Sequence, residues 1–302
     1  MNDVLIIDIH CHIASRPRPE EWLRELRKRK HVYNEEGVRV RWLPPEQWSP
    51  PARPYDIEYI IGMMEREGID MIGAICGDFD YLGGIIRKYP GKIIGLPYFD
   101  RGDLFSTVDA TRPAEELERC VEELGCMGVK LQPTYDHYYP GDERLFPLYE
   151  KAIELDVPVA IHMGTTPLRF ARTRYMFPHL LDEVAGRFPE MKIHMAHLGH
   201  PWVEEGINVM LRHDNVYADL SAWCCKPPYE ILRYLNKIDD LIGLDRVMFG
   251  SENGLCNPGP FIRYMRNLNN YAERYGLREI EERDMAGILG DNAARLYKVG
   301  ET

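Results

Sequence analysis

Eight short β-type runs recur along this chain, and the segments between them have the spacing of amphipathic helices. The runs are VLIIDI (4–9), DMIGAI (70–75), KIIGLPYF (92–99), GVKLQ (128–132), VPVAIH (157–162), KIHMAH (192–197), VYADLS (216–221) and RVMFGS (246–251). Stretches such as IEYIIGMMEREG and PYEILRYLNKIDDLIG place apolar residues three and four apart, which is the helical period. Strands that alternate with helices form parallel sheets, and eight such units close a barrel. The pattern therefore predicts the α/β class and a parallel eight-stranded barrel.

An open, doubly wound sheet is the alternative architecture. Such a sheet usually carries a glycine-rich phosphate loop, and the sequence contains neither GxGxxG nor GxxxxGK[ST]. The length of 302 residues is ordinary for one large barrel domain. We therefore predict a single barrel domain over residues 1–302.

One connection is much longer than the others. Residues 14–55, between the first and second β-runs, are rich in Arg, Pro and Trp. We predict a helix over 19–30 and an irregular insertion over 31–55, because long connections in compact domains are commonly lids or interfaces. Exposed tryptophan is costly, so Trp42 and Trp48 predict a cover over the barrel mouth or a contact with the second subunit of a homodimer.

Charge and composition exclude several classes of function. The net charge of −11 gives no electrostatic support for nucleic-acid binding. No apolar run approaches the length of a membrane span. The opening MNDVLIIDIH has no basic region ahead of its apolar residues, so we expect a first strand and not a signal peptide. Seven cysteines, an odd number without a CxxC pair and with Cys224 and Cys225 adjacent, predict reduced thiols in a cytoplasm.

Histidines and a carboxylate stand at the ends of four β-runs. The active sites of parallel barrels lie at the C-terminal ends of the strands. Alternation puts His10 and His12 on one face of the first run, the fifth run ends at His162, the sixth ends at His197, and Glu252 follows the eighth. Nitrogen and oxygen donors without thiolate suit Zn²⁺, with Mn²⁺ or Fe²⁺ as alternatives. The sequence therefore predicts one divalent metal at this end of the barrel.

The motifs IDIHCHI, GVKLQP, VAIHMG, MAHLGH, MFGSE and GDNAARLY resemble the amidohydrolase superfamily. They are most similar to the amidohydrolase-related branch that includes aminocarboxymuconate-semialdehyde decarboxylase, and they occur in that branch's order over nearly the whole chain. The resemblance implies a distorted (β/α)₈ TIM barrel that holds one divalent metal, to which this chain adds the insertion at about 14–55. It also implies that His10, His12 and His162 are metal ligands and that His197 activates water or polarises the substrate.

The stretch HMAHLGHPW carries three histidines, and the same reasoning separates them. His197 matches the family's reactive histidine. His194 falls on the opposite face of the strand, toward the helices. His200 lies beyond a glycine in the following loop, where it contacts the substrate or only caps the next helix.

The residue after the eighth run departs from the family. The family usually has aspartate where this chain has Glu252, which is followed by Asn253 and Gly254. A glutamate remains an oxygen donor and a possible base, so Glu252 is predicted both as a ligand, directly or through water, and as a catalytic group. Asp219 on the seventh run is expected to hydrogen-bond a site histidine.

Cationic side chains near the predicted site indicate an anionic substrate. Lys130 at the end of the fourth run either binds the substrate or is held by a neighbouring residue. The loop GTTPLRFARTRYMFP carries Arg169, Arg172 and Arg174, which either bind a substrate carboxylate or are surface or interface residues.

Two reactions fit this set of residues. In hydrolysis, His197 or Glu252 takes a proton from a metal-activated water, which attacks an ester, lactone or amide carbonyl of a small carboxylate-bearing substrate. In non-oxidative decarboxylation, an acidic group protonates the carbon of an unsaturated or aromatic acid that loses carbon dioxide. We predict a metal-dependent hydrolase, with the carboxy-lyase as the alternative.

Overall fold

The computed structural model describes residues 4–16, 31–33, 39–41, 55–105 and 111–300. Its strands are β1 (Ile7–His12), β2 (His31–Tyr33), β3 (Arg39–Arg41), β4 (Met71–Cys76), β5 (Ile93–Phe99), β6 (Val129–Leu131), β7 (Val159–Ile161), β8 (Ile193–Met195), β9 (Val216–Asp219) and β10 (Val247–Met248). Eight of them form one sheet in chain order, β1-β4-β5-β6-β7-β8-β9-β10, and β2 pairs with β3 in an antiparallel hairpin. Parallel strands in chain order with helices between them confirm the predicted TIM-barrel class.

Helices connect the strands throughout the described chain. They are α1 (Ile57–Glu67), α2 (Phe79–Lys88), α3 (Arg101–Leu104), α4 (Arg112–Glu122), α5 (Pro133–Asp136), α6 (Phe146–Glu154), α7 (Leu180–Arg187), α8 (Val203–Arg212), α9 (Pro228–Ile242), α10 (Pro258–Arg266), α11 (Ala272–Tyr275), α12 (Glu282–Ala286) and α13 (Asn292–Leu296). The stretches quoted above for their helical spacing become α1 and α9.

Local signals set the ends of α1. The side chain of Asp56 accepts a hydrogen bond from the backbone N–H of Tyr59, which satisfies one of the free donors at the helix start. Gly68 ends the helix in the left-handed conformation with φ 68°, as glycine does without a steric penalty. The apolar residues between these caps are buried on one face.

The chain forms two compact units. The first unit consists of Met1–Ile72 with Leu220–Ala293, and the second of Gly73–Asp219 with Ala294–Thr302. The prediction of a single domain stays a prediction.

In the first unit, β1 lies between two hydrogen-bonding neighbours. On one side, the backbone N–H of Ile9 donates to the carbonyl of Phe249 at 3.2 Å, which joins the end of β10 to β1. On the other side, the N–H of Asp70 donates to the carbonyl of Ile6 at 2.9 Å. Every residue of β1 is buried, so the first strand belongs to the core and not to an edge.

The second unit holds the regular part of the parallel sheet. Residue pairs across it are Tyr98↔Lys130, Lys130↔Ala160 and Ala160↔His194. All residues of β6, β7 and β8 are buried, as expected for parallel strands that are covered on both faces. The register places the ends of these strands at one level.

The sixth β-run is shorter than its sequence predicts. The run predicts a strand to residue 197, but β8 ends at Met195 and a turn follows over Ala196–Gly199. The reason is the backbone of His197 and Leu198, which have φ values of 62° and 47°. A strand cannot continue through residues in the left-handed region.

The expectation that all cysteines are reduced is wrong in the first unit. Cys224 and Cys256 form a disulfide, with their Cα atoms 6.2 Å apart and a sequence separation of 32. This Cα distance is within the range that a disulfide can span. The sequence placed Cys224 next to Cys225 and gave no sign of the distant partner.

The long insertion falls largely outside the described residues. Its part over 31–55 is predicted to be irregular, which is wrong for the hairpin of β2 and β3. The helix predicted over 19–30, and both Trp42 and Trp48, lie there, so the cover or subunit contact stays a prediction, as do the homodimer and the cytoplasmic location. Among the described helices, none combines the length and apolar character needed to cross a bilayer.

Gly164 follows β7 closely and tests how tightly the strand end is packed. It has φ 94°, and a Cβ at this position would overlap the carbonyl oxygen of His200 and lie 3.0 Å from the carbonyl carbon of Gly199. We expect Gly164→Ala to lower the free energy of unfolding by about 2 to 5 kcal/mol, from overpacking and the left-handed backbone.

Gly84→Ala is the matched control. Gly84 lies in α2, and a Cβ added there would meet no atom within 4 Å, so alanine is expected to be neutral or to stabilise by about 0.5 to 1 kcal/mol. Urea unfolding of both variants checks this. Equal stability of the two variants would contradict the close approach at Gly164.

Candidate active site

Two imidazoles and one carboxylate meet at the ends of β1 and β10 in the first unit. His10 Nε2 lies 3.2 Å from one carboxylate oxygen of Glu252, and His12 Nε2 lies 3.2 Å from the other. Both histidines are buried, whereas the Glu252 side chain keeps 16% of its surface exposed. We call these three residues the Glu252 cluster.

The Glu252 cluster fits a divalent cation in donor type and in spacing. Its three ligand atoms lie within 4.8 Å of one another. Two donors of one ion, with bonds near 2.1 Å and an angle of about 90° to 110°, lie about 3.0 to 3.4 Å apart. The nitrogen–oxygen distances of 3.2 Å fall in that range, and this donor set suits zinc, manganese or iron. The cluster can therefore hold the metal that the sequence predicts.

A hydroxyl orients the first imidazole. Ser221 Oγ is hydrogen-bonded to Nδ1 of His10 at 3.1 Å, and both groups are buried. With Nδ1 occupied in this way, Nε2 is the nitrogen that faces Glu252. Partners of this kind fix the ring and the tautomer of metal-binding histidines.

An amide holds the strand that carries the second imidazole. Oδ1 of Asn253 accepts from the backbone N–H of His12 at 2.8 Å, and Nδ2 of Asn253 donates to the His12 carbonyl at 2.9 Å. The Asn253 side chain thus forms the two hydrogen bonds with His12 that the backbone of a neighbouring strand would otherwise form. Sequence reasoning missed this role, although an amide next to the last strand's carboxylate was a possible signal.

A buried aspartate lies under the cluster. Oδ1 of Asp8 accepts from the N–H of Ser251 at 2.7 Å, and Oδ2 accepts from the thiol of Cys11 at 3.2 Å. Burial raises the pKa of Asp8 to about 6 despite these hydrogen bonds, which act in the opposite direction. Asp8 ties β1 to the segment that leads into Glu252.

Glu252 has an unusual backbone. Its φ is 60°, its N–H donates to the carbonyl of His10 at 3.0 Å, and its own carbonyl accepts from Leu255 and Cys256. A left-handed glutamate is strained by about 1 to 2 kcal/mol, and such strain is found where a site requires it. Glu252, which stands where the family usually has aspartate, therefore lies in a turn, and its side chain reaches both imidazoles.

In the second unit, His162 and His197 face each other. Nδ1 of His162 and Nε2 of His197 are 3.2 Å apart, and the ring centroids are 4.7 Å apart in an edge-to-face arrangement. Both residues are buried. At this distance the two nitrogens can form one hydrogen bond, in which one ring donates and the other accepts.

Asp219 contacts two histidines of the second unit. Its Oδ1 accepts from the backbone N–H of His197 at 2.8 Å, and its Oδ2 lies 2.8 Å from Nε2 of His194. His194 continues on its other side to the hydroxyl of Tyr297, also at 2.8 Å. The sequence predicts a hydrogen bond between Asp219 and a site histidine. The carboxylate instead contacts the ring of His194 and reaches His197 only at its backbone N–H. The contact with Tyr297 has no sequence signal.

The predicted substrate-binding residues lie in the same unit. Lys130 is buried in β6, and the carbonyl of His200 accepts from Thr165 at 2.7 Å. The three loop arginines, Arg169, Arg172 and Arg174, are exposed.

An aromatic side chain that sequence reasoning missed lies against His162. The ring of Tyr135, in α5, is 5.0 Å from the His162 ring and 5.7 Å from the ring of Phe170. Phe170 belongs to the arginine-bearing loop and is 46% exposed. An apolar, aromatic surface therefore adjoins the histidine pair.

Comparison with known proteins identifies the family. A family model described as "Amidohydrolase" (Amidohydro_2) matches residues 7–299. The chain belongs to this amidohydrolase family. It is therefore an enzyme-family barrel of the amidohydrolase superfamily, as its motifs predicted.

The chain is similar to both decarboxylases and a hydratase. It is 30% identical over 199 residues to 2-keto-4-carboxy-3-hexenedioate hydratase of Sphingobium sp., covering 56% of this chain and 54% of that protein. It is 27% identical over 237 residues to gamma-resorcylate decarboxylase of Rhodococcus jostii, covering 63% and 68%. The matched part thus spans only about half of the hydratase.

A solved structure shares the fold over nearly the full length. Dihydroxybenzoic acid decarboxylase from Polaromonas sp., with bound manganese and 2-nitroresorcinol, aligns with a TM-score of 0.65 and 18% identity and covers 99% of this chain and 98% of that chain. The names of these relatives are those of two decarboxylases and a hydratase, whereas our main prediction is hydrolysis.

The double hydrogen bond of Asn253 gives a test of the site's framework. Asn253→Ala leaves both backbone groups of His12 without this partner in a buried place, so we expect the free energy of unfolding to fall by about 2 to 4 kcal/mol. Asn270→Ala is the control, because Asn270 is exposed and surface changes stay within about 0.5 kcal/mol. Denaturant unfolding measures the stability of both variants. An Asn253 variant as stable as the control would contradict the role of the two hydrogen bonds between Asn253 and His12.

Proposed function

We propose that this chain is a divalent-metal-dependent, non-oxidative decarboxylase of a small unsaturated or aromatic carboxylic acid. The observation that carries the proposal is the Glu252 cluster, two buried imidazoles on one carboxylate with the spacing of a metal centre. The names of the gamma-resorcylate and dihydroxybenzoic acid decarboxylases support the choice of reaction.

His10, His12 and Glu252 are the proposed ligands from the first unit. His162 is carried over as a further ligand from the resemblance to the amidohydrolase-related branch. Zn²⁺ and Mn²⁺ both suit nitrogen and oxygen donors, and the manganese in the Polaromonas structure supports testing Mn²⁺ beside the Zn²⁺ that the sequence favours. When bound, the cation supplies positive charge that stabilises the negative charge developing on the substrate.

The tautomer of the histidine pair follows from this assignment. If Nε2 of His162 is a ligand, its proton is on Nδ1, which then donates to Nε2 of His197 across the 3.2 Å contact. His197 accordingly rests as a neutral proton acceptor. Its own proton is then on Nδ1. Delivery of that proton to the carbon from which carbon dioxide departs, with transfer of the His162 Nδ1 proton to Nε2 of His197, would turn RCOO⁻ and H⁺ into RH and CO₂, and the pair would regain its proton from solvent.

An anionic substrate is the proposed partner of the cationic side chains. We keep Arg169, Arg172 and Arg174 as candidate partners of a substrate carboxylate, since guanidinium groups bind carboxylates with two hydrogen bonds. Lys130 and His200 remain candidate contacts. Tyr135, packed against His162, adds an aromatic face that suits a flat, unsaturated acid.

The ligand assignment predicts the metal content of variants. His10→Ala, His12→Ala and Glu252→Gln are each expected to lose most of the bound metal while staying folded, because their donor atoms form the Glu252 cluster. His179→Ala is the control, since that exposed histidine pairs with Glu205. Elemental analysis after loading with Mn²⁺ or Zn²⁺, beside circular dichroism, measures both effects. Stoichiometric metal in all three variants would show that His10, His12 and Glu252 are not the metal ligands.

The role of His197 predicts a different loss. His197→Asn is expected to keep the metal and to lose about two to four decades of kcat, the scale of a general acid–base group. Carbon dioxide release from hydroxybenzoic acids and unsaturated dicarboxylic acids is the assay, with lactones and esters followed separately for hydrolysis. A fully active His197→Asn enzyme would transfer the role to His200, and hydrolysis without release of carbon dioxide would favour the hydrolase over the decarboxylase.

Hydration is a second candidate, favoured by the 30% identity with the Sphingobium hydratase. Adding water to a carbon–carbon double bond requires one group that takes a proton from water and one that protonates carbon, and the coupled pair His162 and His197 suits both. Loss of the substrate's ultraviolet absorbance without carbon dioxide release would identify this reaction in the same assay.

A further inference from the structure

A buried line of hydrogen bonds in the second unit leads from the C-terminal segment to His197. The hydroxyl of Tyr297 lies 2.8 Å from Nδ1 of His194, and Nε2 of His194 lies 2.8 Å from Oδ2 of Asp219. The other carboxylate oxygen, Oδ1, accepts from the backbone N–H of His197 at 2.8 Å. We call Tyr297, His194 and Asp219 the buried triad.

Every member of the buried triad is shielded from water. Tyr297 is 2% exposed, His194 is 1% exposed and Asp219 is fully buried. Burial raises the pKa of the Tyr297 phenol, and the charge of Asp219 raises it further. Tyr297 is thus a protonated phenol that can donate to Nδ1 of His194, which leaves the His194 proton on Nε2 for the carboxylate.

Tyr297, the first member of the buried triad, is closely packed. A Cβ on Gly128 would lie 3.0 Å from a ring carbon of Tyr297 and 3.0 Å from the carbonyl oxygen of Pro158. A side chain at position 128 would therefore displace the tyrosine ring, the strand start or both. The glycine leaves the space in which the tyrosine hydroxyl reaches His194.

Asp219, the last member of the buried triad, binds the backbone of His197, which is strained. His197 has φ 62° and ψ 12°, and Leu198 after it has φ 47°. A non-glycine residue in this region costs about 1 to 2 kcal/mol and persists only where its surroundings hold it. The hydrogen bond from the His197 amide to buried Asp219 is such a restraint, and it sets the direction in which the imidazole leaves the backbone.

We propose that His194 and Tyr297 are positioning residues for His197. They hold the carboxylate of Asp219 in the orientation that binds the His197 amide, and thereby keep the His197 ring opposite His162. This inference rests on the proposed proton-transfer role of His197. It assigns a function to His194, the histidine of HMAHLGHPW that faces away from the site, and to Tyr297, the last residue of GDNAARLY.

The test compares two buried tyrosines of the same unit. Tyr297→Phe removes the hydroxyl at the start of the line. Tyr149→Phe removes a hydroxyl that donates to the carbonyl of Pro140 at 2.7 Å and is also buried, but outside the triad. Both changes should cost similar stability, so any difference in turnover belongs to the position and not to general destabilisation.

We expect Tyr297→Phe to lower kcat about threefold to tenfold in the metal-loaded enzyme, with KM and metal content unchanged, since one net hydrogen bond is lost from the line. Tyr149→Phe should keep the parent kcat. His194→Leu should lower kcat about tenfold to a hundredfold, and His194→Gln, which keeps an N–H donor for Asp219, should recover part of that loss.

Hydrogen exchange provides a readout that does not depend on activity. The amide of His197 should exchange faster in Tyr297→Phe and His194→Leu than in Tyr149→Phe, because its acceptor is less firmly held. Faster exchange with unchanged kcat would support the positioning line but overturn the proton-transfer role of His197. Unchanged exchange in Tyr297→Phe, whatever its kcat, would overturn the positioning role itself.

Discussion

The pairing of β1 with the segment after β10 is the constraint on which the Glu252 cluster depends. Backbone and side-chain hydrogen bonds alternate along this pair. The Ile9 amide binds the Phe249 carbonyl, the Ser251 amide binds the Asp8 carboxylate, and the Glu252 amide binds the His10 carbonyl. Because these bonds fix both segments in register, they hold the two imidazoles and the carboxylate in convergent positions, so the proposed cation would require little reorganisation of its ligands.

The same contacts explain how a glutamate can stand where the family usually has aspartate. Glu252 has a left-handed φ. Its carbonyl accepts hydrogen bonds from the backbone N–H groups of Leu255 and Cys256, which stabilise the turn at this residue. The disulfide between Cys224 and Cys256 lies in the same unit and joins the segment following Ser221 to the segment following Glu252. Both segments that contact His10 are therefore tied to one another by a covalent bond.

His197 in the second unit follows the same logic with different partners. It too has a positive φ, and its amide too is bound by an oxygen, here from the buried carboxylate of Asp219. In each unit a residue with positive φ follows a strand and carries a titratable side chain, and its backbone N–H donates to an oxygen of a residue on another strand. Such rigid support, more than the identity of the reactive residue, is what allows a proton-transfer or ligand group to act at a defined position.

The sequence by itself determined the barrel and its strand order, because parallel buried strands require apolar runs and helices require a three-to-four period. It also determined that His10 and His12 share a face. Only the tertiary structure decided which partners complete each group. The roles of Asn253 and Tyr297, the Cys224–Cys256 bond and the left-handed turns at Glu252 and His197 depend on residues distant in sequence, and no local pattern encodes a contact of that range. A periodic signal reports burial, whereas a hydrogen bond depends on two atoms brought together by the whole fold.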